Sequence, residues 1–204
     1  MLGHIEWPDN IDVWFVDLSQ RKFSLFVVFS YFFYVGIPAL VTIRVLERHP
    51  NARRGWASYL LLAVPFYTIF EIPPVTLDWL RYYGDPPLQS PITLPATWSF
   101  GNSAAVVASG AMVYGLMHGT TVLKGRRSAL LVVLMPMLVG GIHLAVFVPY
   151  FTAINSTDNR AVQNAGAVLT IALSLFAIWL VYEIVSGIRP RESHEPTLVS
   201  TVEG

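Results

Sequence analysis

Five long apolar runs limit what this chain can fold into. They lie at about 23–45, 56–79, 97–117, 128–150 and 166–188. Each is close to the roughly 20 residues that an α-helix needs to cross a bilayer. A β-barrel would instead show shorter segments of alternating polarity. The sequence therefore predicts an all-α integral membrane domain of five transmembrane helices, covering residues 23–188.

The composition favours lipid as the main solvent of the chain. Of its 204 residues, 54% are hydrophobic and 13% are charged, about half the charged fraction that is usual for a soluble domain. The net charge is zero, which gives no basic surplus for nucleic acid. The absence of cysteine excludes disulfides and thiolate metal sites. We expect a multi-pass protein of the cell membrane, surrounded by membrane lipid.

Basic residues divide unevenly between the two sides of the predicted bundle. Nine of the 13 follow the first, third and fifth runs, and four lie in the opposite connections. The positive-inside rule places the richer side in the cytoplasm. The amino terminus is therefore predicted outside and the carboxyl terminus inside. The nine are Arg44, Arg48, Arg53, Arg54, Lys124, Arg126, Arg127, Arg189 and Arg191.

Two polar segments flank the apolar domain. In residues 1–22, Asp9 and Asn10 can cap a helix, and apolar side chains then follow at the spacing of one helical face: Ile11, Trp14, Phe15 and Leu18. This pattern predicts a short helix lying in the membrane interface, and a loosely ordered segment is the alternative. Residues 189–204 are polar and are predicted to form a disordered cytoplasmic tail.

Small residues recur along the third run. Gly101, Ala105 and Ser109 stand four residues apart, so they share one helical face on which a neighbouring backbone can approach closely. The third helix is therefore predicted to lie at the centre of the bundle.

One acid lies within the second run. Glu71 directly precedes Ile72-Pro73-Pro74. A charged, unpaired carboxyl at membrane depth is costly, so such residues usually face the protein interior and mark a functional site. In the alternative interpretation, a protonated Glu71 only hydrogen-bonds a backbone carbonyl that the adjacent prolines leave unpaired.

Helix geometry places further polar groups near the level of Glu71. Glu71 and His143 each lie 15 residues into runs that start on the cytoplasmic side, and each residue adds about 1.5 Å. The other three runs have polar residues within about two turns of that level, namely Tyr31, Tyr34, Asn102, Ser103, Thr170 and Ser174. We expect one polar layer in the outer half, to which all five helices contribute.

This layer suggests acid–base chemistry. Glu71 would donate a proton, and His143 or Asp78 would accept one or orient the acid. Aromatic rings there, Tyr82 among them, can stabilise a developing cation. The predicted substrate-binding residues are Tyr31, Tyr34, Trp98, Asn102 and Arg81.

Simpler roles remain open for some of these residues. Asp78 and Arg81 stand three apart and can form an exposed ion pair at the outer rim. His143 can be a buried histidine with satisfied hydrogen bonds. The five histidines of the chain have no metal-binding spacing, so we expect neither a metal nor a cofactor.

One region carries a resemblance to known sequences. Its residues are Asp78-Trp79, Tyr82-Tyr83-Gly84, Pro86-Pro87-Leu88, Trp98 and Asn102. They resemble a stretch in a family of multi-spanning actinobacterial membrane proteins of unassigned function. The chain departs from that family at Pro86 and Thr97, where a more polar and an aromatic residue are expected. The general plan is also similar to small membrane-bound terpene cyclases and sterol isomerases, by analogy of layout alone.

Two classes of function are consistent with these features. The first is a membrane-embedded enzyme that cyclises or isomerises a terpenoid-like or other lipophilic substrate. The alternative is a non-catalytic membrane protein, either a small transporter or an accessory subunit of a membrane complex. The chain shows no inverted repeat, which many secondary transporters possess.

Overall fold

The computed structural model describes residues 5–6, 15–18, 21–49, 51–82, 85–92 and 94–188. Most of this part is helical, with four short strands at 5–6, 15–18, 21–24 and 81–82. The strands are β1 (Ile5–Glu6), β2 (Phe15–Leu18), β3 (Arg21–Ser24) and β4 (Arg81–Tyr82). The main helices are α1 (Leu25–Arg48), α2 (Ala52–Ser58), α3 (Val64–Thr76), α4 (Ala96–Gly119), α5 (Leu131–Ser156) and α6 (Arg160–Ser186).

Within the described residues, four helices are long and apolar enough to cross a membrane. They are Arg53–Thr76, Ala96–Gly119, Gly125–Ser156 and Arg160–Ser186. These helices correspond to the predicted second to fifth runs, and they fit a multi-pass membrane protein. The helix α1 occupies the predicted first run and packs against α4, but its last five residues include Arg44, Glu47 and Arg48. Its role as a fifth span stays a prediction.

The second span is one continuous helix with a π-helical stretch, Tyr59–Ala63, between α2 and α3. Pro65 cannot donate a backbone hydrogen bond, and its ring crowds the carbonyl four residues earlier. The N–H of Val64 instead bonds the carbonyl of Tyr59, five residues back. The buried residues along this span recur every four positions, at Tyr59, Ala63, Tyr67 and Glu71. Four residues of α-helix turn about 40° more than one full turn, so residues four apart move slowly around the helix. The π stretch has more residues per turn and offsets part of this rotation.

The central helix of the bundle is α4, as its small residues predicted. In the apolar 18-residue stretch of α4, 78% of the residues are buried, against 11–28% in the corresponding stretches of the other three spans. A methyl group on Gly110 would lie 3.0 Å from the carbonyl oxygen of Ala39 in α1. The same close approach recurs between α5 and α6, where Gly166 faces the backbone of Pro149. Glycine therefore sets the spacing of both helix pairs.

The second span ends earlier than the predicted boundary at residue 79. Pro73 and Pro74 lie inside α3, and the N–H of Trp79 turns back to the carbonyl of Pro74 at 2.7 Å. Asp78 adopts a left-handed conformation with φ 57°, which aspartate tolerates better than most residues. This conformation terminates the helix in the manner of a C-terminal cap.

The described part of residues 1–22 is extended rather than helical. The strand β2 pairs with β3, and β1 pairs with β4. The predicted interfacial helix is therefore wrong at Phe15 and Leu18. One short amphipathic pattern cannot hold a helix without tertiary contacts, and Phe15 and Val16 favour strands. The other residues of that prediction, and the tail 189–204, lie outside the described residues.

Candidate functional site

Glu71 is enclosed by hydrogen-bond donors from three parts of the chain. Its side chain is 7% exposed. The hydroxyl of Tyr34 in α1 donates to Oε1 at 2.6 Å, and the indole N–H of Trp98 in α4 donates to the same oxygen at 3.2 Å. The hydroxyl of Tyr82 in β4 donates to Oε2 at 2.9 Å. The structure thus brings Glu71 together with Tyr34 and Trp98, two of the predicted substrate-binding residues.

The two carboxyl oxygens of Glu71 differ in how readily they can exchange a proton with their hydrogen-bond partners. Asn102 donates its side-chain N–H to the Tyr34 hydroxyl oxygen at 3.1 Å, which directs the Tyr34 proton toward Oε1. An indole N–H can only donate, so Oε1 receives two fixed donors. The Tyr82 hydroxyl can donate or accept. When Glu71 is neutral, its proton therefore belongs on Oε2, facing Tyr82.

No cation balances Glu71 within the described part of the chain. The ion pairs there join other residues, and all three hydrogen-bond partners of Glu71 are uncharged. Burial, followed by the charge of Glu71, raises the pKa of Tyr82 well above its ordinary value, so Tyr82 stays a neutral phenol. Glu71 can consequently gain or lose a proton without breaking an ion pair.

Aromatic rings line both sides of the carboxyl group. On the α1 side, the Tyr34 ring meets Tyr67 edge to face, with centroids 4.4 Å apart, and Phe70 at 5.2 Å. The Tyr67 hydroxyl donates to the Tyr34 carbonyl at 2.6 Å and fixes the α1–α3 contact. Tyr31 is half-exposed at the edge of this group, 5.8 Å from the Tyr34 ring. The carboxyl group therefore lies among aromatic rings, whose faces can stabilise a positive charge that develops nearby.

His143 reaches this centre through Trp98. Its ring stacks on Phe147 with centroids 4.4 Å apart, and it meets the Trp98 ring edge to face at 5.7 Å. Among the described contacts of Glu71, hydrogen bonds come from Tyr34, Tyr82 and Trp98 only. His143 thus contacts the group around Glu71 through the Trp98 ring, and direct proton exchange between His143 and Glu71 stays a prediction.

Asp78 and Arg81 form the exposed pair that the sequence left open. The Arg81 guanidinium donates Nε–H to Oδ1 and Nη2–H to Oδ2 of Asp78. Their side chains are 44% and 54% exposed for Asp78 and Arg81 respectively. The hydrogen bond from Arg81 lowers the pKa of Asp78. This geometry supports the exposed ion pair, and the catalytic role of Asp78 and the substrate-binding role of Arg81 stay predictions.

Several polar side chains that were predicted to share a layer with Glu71 form their described hydrogen bonds elsewhere. Ser103 donates to carbonyls of its own helix, at Ser99 and Phe100. Ser174 donates to the Thr170 carbonyl at 2.8 Å, and the Thr170 hydroxyl accepts from the backbone N–H of Tyr150. Depth alone does not determine which way a side chain points around its helix. No described hydrogen bond to Glu71 comes from α6.

Tyr82 is the partner that the sequence did not assign to Glu71. It was expected only as one of several aromatic rings, because it lies in a connection rather than in a span. Its proximity to Arg81 and to the outer end of the second run was the available signal. Within the described residues, no three acidic or histidine side chains converge as metal ligands.

Comparisons with known proteins add no relationship to this geometry. No protein-family model matches the chain, and no significant match occurs among the curated proteins or the solved structures.

Proposed function

We propose that the protein is a multi-pass membrane enzyme that uses Glu71 for acid–base chemistry on a lipophilic substrate. The observation that carries this proposal is a buried carboxyl, held by three neutral donors and no cation among the described residues, in an aromatic surround. The apolar helices make a hydrocarbon-rich substrate accessible from the bilayer. A terpenoid-like lipid that undergoes cyclisation or isomerisation suits this chemistry.

The proposed reaction begins with proton transfer from Glu71. The Oε2–H bond breaks as its proton adds to a double bond or an epoxide oxygen of the substrate. The carboxylate left behind keeps its hydrogen bonds from Tyr34 and Trp98 and gains one from Tyr82, whose hydroxyl turns from acceptor to donor; these bonds stabilise the negative charge as it forms. The aromatic faces stabilise the cation on the substrate. Loss of a substrate proton to the carboxylate closes the cycle and restores neutral Glu71.

The distribution of basic residues supports one orientation of the protein in the membrane. Seven basic residues lie where α1 meets α2 and where α4 meets α5: Arg44, Arg48, Arg53, Arg54, Lys124, Arg126 and Arg127. The opposite end carries Arg81 and Arg160 among the described side chains. By the positive-inside rule, Glu71 lies in the outer half of the cell membrane. In this proposal α1 is the fifth span and the amino terminus lies outside.

A second candidate is a non-catalytic membrane protein, such as an accessory subunit or a small transporter. The observation that favours it is the filled set of hydrogen bonds around Glu71, which joins α1, α3 and α4. In that case Glu71 holds these helices together and takes no part in a reaction. The two candidates predict different consequences of removing the acid.

The test is Glu71→Gln in membranes supplied with a panel of isoprenoid alkenes and epoxides. Glutamine keeps the size of the side chain and removes its acidity. We expect turnover to fall about 10²- to 10⁴-fold while the amount of folded protein is retained. Unchanged turnover would contradict the catalytic role, and loss of folded protein would favour the structural candidate.

Two further variants serve as references for this test. Glu183 is exposed near the end of α6, so Glu183→Gln should leave turnover unchanged. His143→Ala should lower turnover less than Glu71→Gln, because the described contact that links His143 to this centre runs through the Trp98 ring. Product formation and folded protein are measured for each variant in parallel.

A further inference from the structure

The hydrogen bonds around Glu71 leave one route for its proton among the described residues. Resting on the proposed function, we propose that Glu71 exchanges its proton through Oε2 and the Tyr82 hydroxyl. Tyr82 then connects Glu71 with the aqueous side, so that the acid is loaded with its proton before turnover begins, and Tyr34 and Trp98 hold the other oxygen in place. This assignment replaces His143 and Asp78 as the groups that exchange protons with Glu71.

The Oε1 side of the carboxyl cannot readily serve as the route. The indole of Trp98 has no acceptor in the ring plane. Tyr34 already accepts from Asn102, so reversing its bond to Glu71 would leave the Tyr34 hydroxyl proton without its one described acceptor. The Tyr82 hydroxyl has no second described hydrogen bond that fixes its direction. It can therefore turn from donor to acceptor when Oε2 carries the proton.

The position of Tyr82 also fits a connection to the aqueous side. Tyr34 and Trp98 lie within helices, whereas Tyr82 follows the end of α3 in the strand β4. Its neighbour Arg81 is exposed, and the β4 backbone pairs with β1 in the register Ile5 to Tyr82. The Tyr82 side chain itself is 8% exposed. Tyr82 is thus the hydrogen-bond partner of Glu71 that lies in a connection between helices, next to an exposed residue.

The transfer needs only water as a co-reactant. The Oε2 proton moves to the Tyr82 oxygen while the Tyr82 hydroxyl passes its own proton to water at the outer surface, and the reverse steps reload Glu71. Tyr82 is neutral before and after each transfer. Among the described residues, the other titratable groups near Glu71 are Tyr31, Tyr34 and Tyr67, with His143 behind Trp98 and the Asp78–Arg81 pair beyond the end of α3.

Infrared spectroscopy can follow this exchange without any substrate. The carbonyl band of a protonated Glu71 is identified by its loss in Glu71→Gln, and it shifts when deuterium replaces the carboxyl proton. The rate of that shift after transfer into D₂O measures proton exchange at Glu71. We expect Tyr82→Phe to slow it at least about tenfold, in line with the contribution of a positioned proton donor.

Matched variants make the result specific. Tyr67→Phe also removes a buried tyrosine hydroxyl, but one that bonds a backbone carbonyl, and it should leave the exchange rate unchanged. Tyr34→Phe should change the position of the band more than the rate of its shift. If Tyr82→Phe fails to fold, fluorotyrosine at position 82 retains the hydroxyl with altered acidity and should change the rate.

Three results would overturn the proposal: an unchanged rate in Tyr82→Phe, equal slowing in Tyr67→Phe, or no protonated Glu71 band in the wild-type protein at any pH tested. Slow exchange in Tyr82→Phe without turnover of any isoprenoid would support the proton route and count against the proposed function. Turnover that depends on Glu71, together with an unchanged exchange rate in Tyr82→Phe, would support the proposed function and contradict the proton route.

Discussion

Replacing Gly166 by alanine would place a methyl group where two atoms of α5 already lie. The new Cβ would stand 2.6 Å from the Cβ of Ala153 and 2.7 Å from the carbonyl oxygen of Pro149. Carbon atoms reach their optimal contact at about 3.5–4.0 Å, so α5 and α6 would have to separate by roughly 1 Å. The second obstacle is backbone, which cannot rotate away as a side chain does.

The cost has two parts. Overpacking of this kind typically destabilises by about 1–3 kcal/mol. The same separation would stretch the bond from the Tyr150 N–H to the Thr170 hydroxyl, now 3.2 Å long, beyond hydrogen-bonding range. That loss adds about 1 kcal/mol. We therefore expect Gly166→Ala to destabilise the protein by about 2–4 kcal/mol.

Thermal unfolding in detergent, followed by size-exclusion chromatography, measures this effect. Gly140 and Gly141 provide the control, because a methyl group on either would meet nothing within 4 Å. Gly140→Ala and Gly141→Ala should be neutral or slightly stabilising, since alanine has the higher helix propensity. The comparison separates crowding at one interface from a general effect of substituting glycine in these helices.

A second substitution tests the stated cause. Ala153→Gly removes one of the two obstacles, so in the Gly166→Ala background it should recover part of the lost stability and leave the part due to Pro149. Equal stability of Gly166→Ala and Gly141→Ala would refute the close packing of α5 on α6. So would a double variant whose losses simply add, because residues in contact are expected to couple.

Two predictions concern the site and its rim. Tyr34→Phe should destabilise by about 1–3 kcal/mol, because it removes the described partner of the Asn102 side chain and one of the two donors to Oε1 of Glu71, which keeps its bond from Trp98. Tyr67→Phe, with one backbone acceptor, should cost about 1 kcal/mol; thermal unfolding compares them, and equal losses would contradict the network. The lowered pKa of Asp78 means that its pair with Arg81 stabilises fully above the ordinary aspartate pKa and is lost as the pH falls through the lowered value. Asp78→Asn should remove this acid-dependent loss yet keep the left-handed turn, and Asp78→Val should lower the unfolding temperature further.

The helices and the interior position of Glu71 could be predicted from the sequence because both follow from transfer into lipid. Runs of about 20 apolar residues have few alternatives to a membrane helix. An acid within such a run must find polar partners, and Tyr34 and Trp98 are partners of this kind. The small residues of α4 likewise predicted its central position, because close helix packing in lipid depends on them.

The orientation of each side chain could not be predicted, because depth along a helix leaves its rotation undetermined. Thr170 and Ser174 lie at a suitable depth but bond within and beside α6. Tyr82 was not assigned to Glu71, since the path of the connection after Pro74 depends on how the second span ends. Phe15 and Leu18 belong to strands because tertiary pairing outweighs a single amphipathic repeat.

The π-helical stretch Tyr59–Ala63 makes the residue count of the second span part of the site. Its hydrogen bond spans five residues instead of four, so the stretch holds about one residue more than an α-helix of the same rotation. Deleting one residue there would let the stretch close into regular α-helix and would leave Glu71 facing Tyr34 and Trp98. The same deletion between Ala63 and Glu71, with the π stretch kept, would turn Glu71 by about 100° relative to the earlier side chains. The span therefore tolerates the loss of one residue at Tyr59–Ala63 better than the same loss in α3.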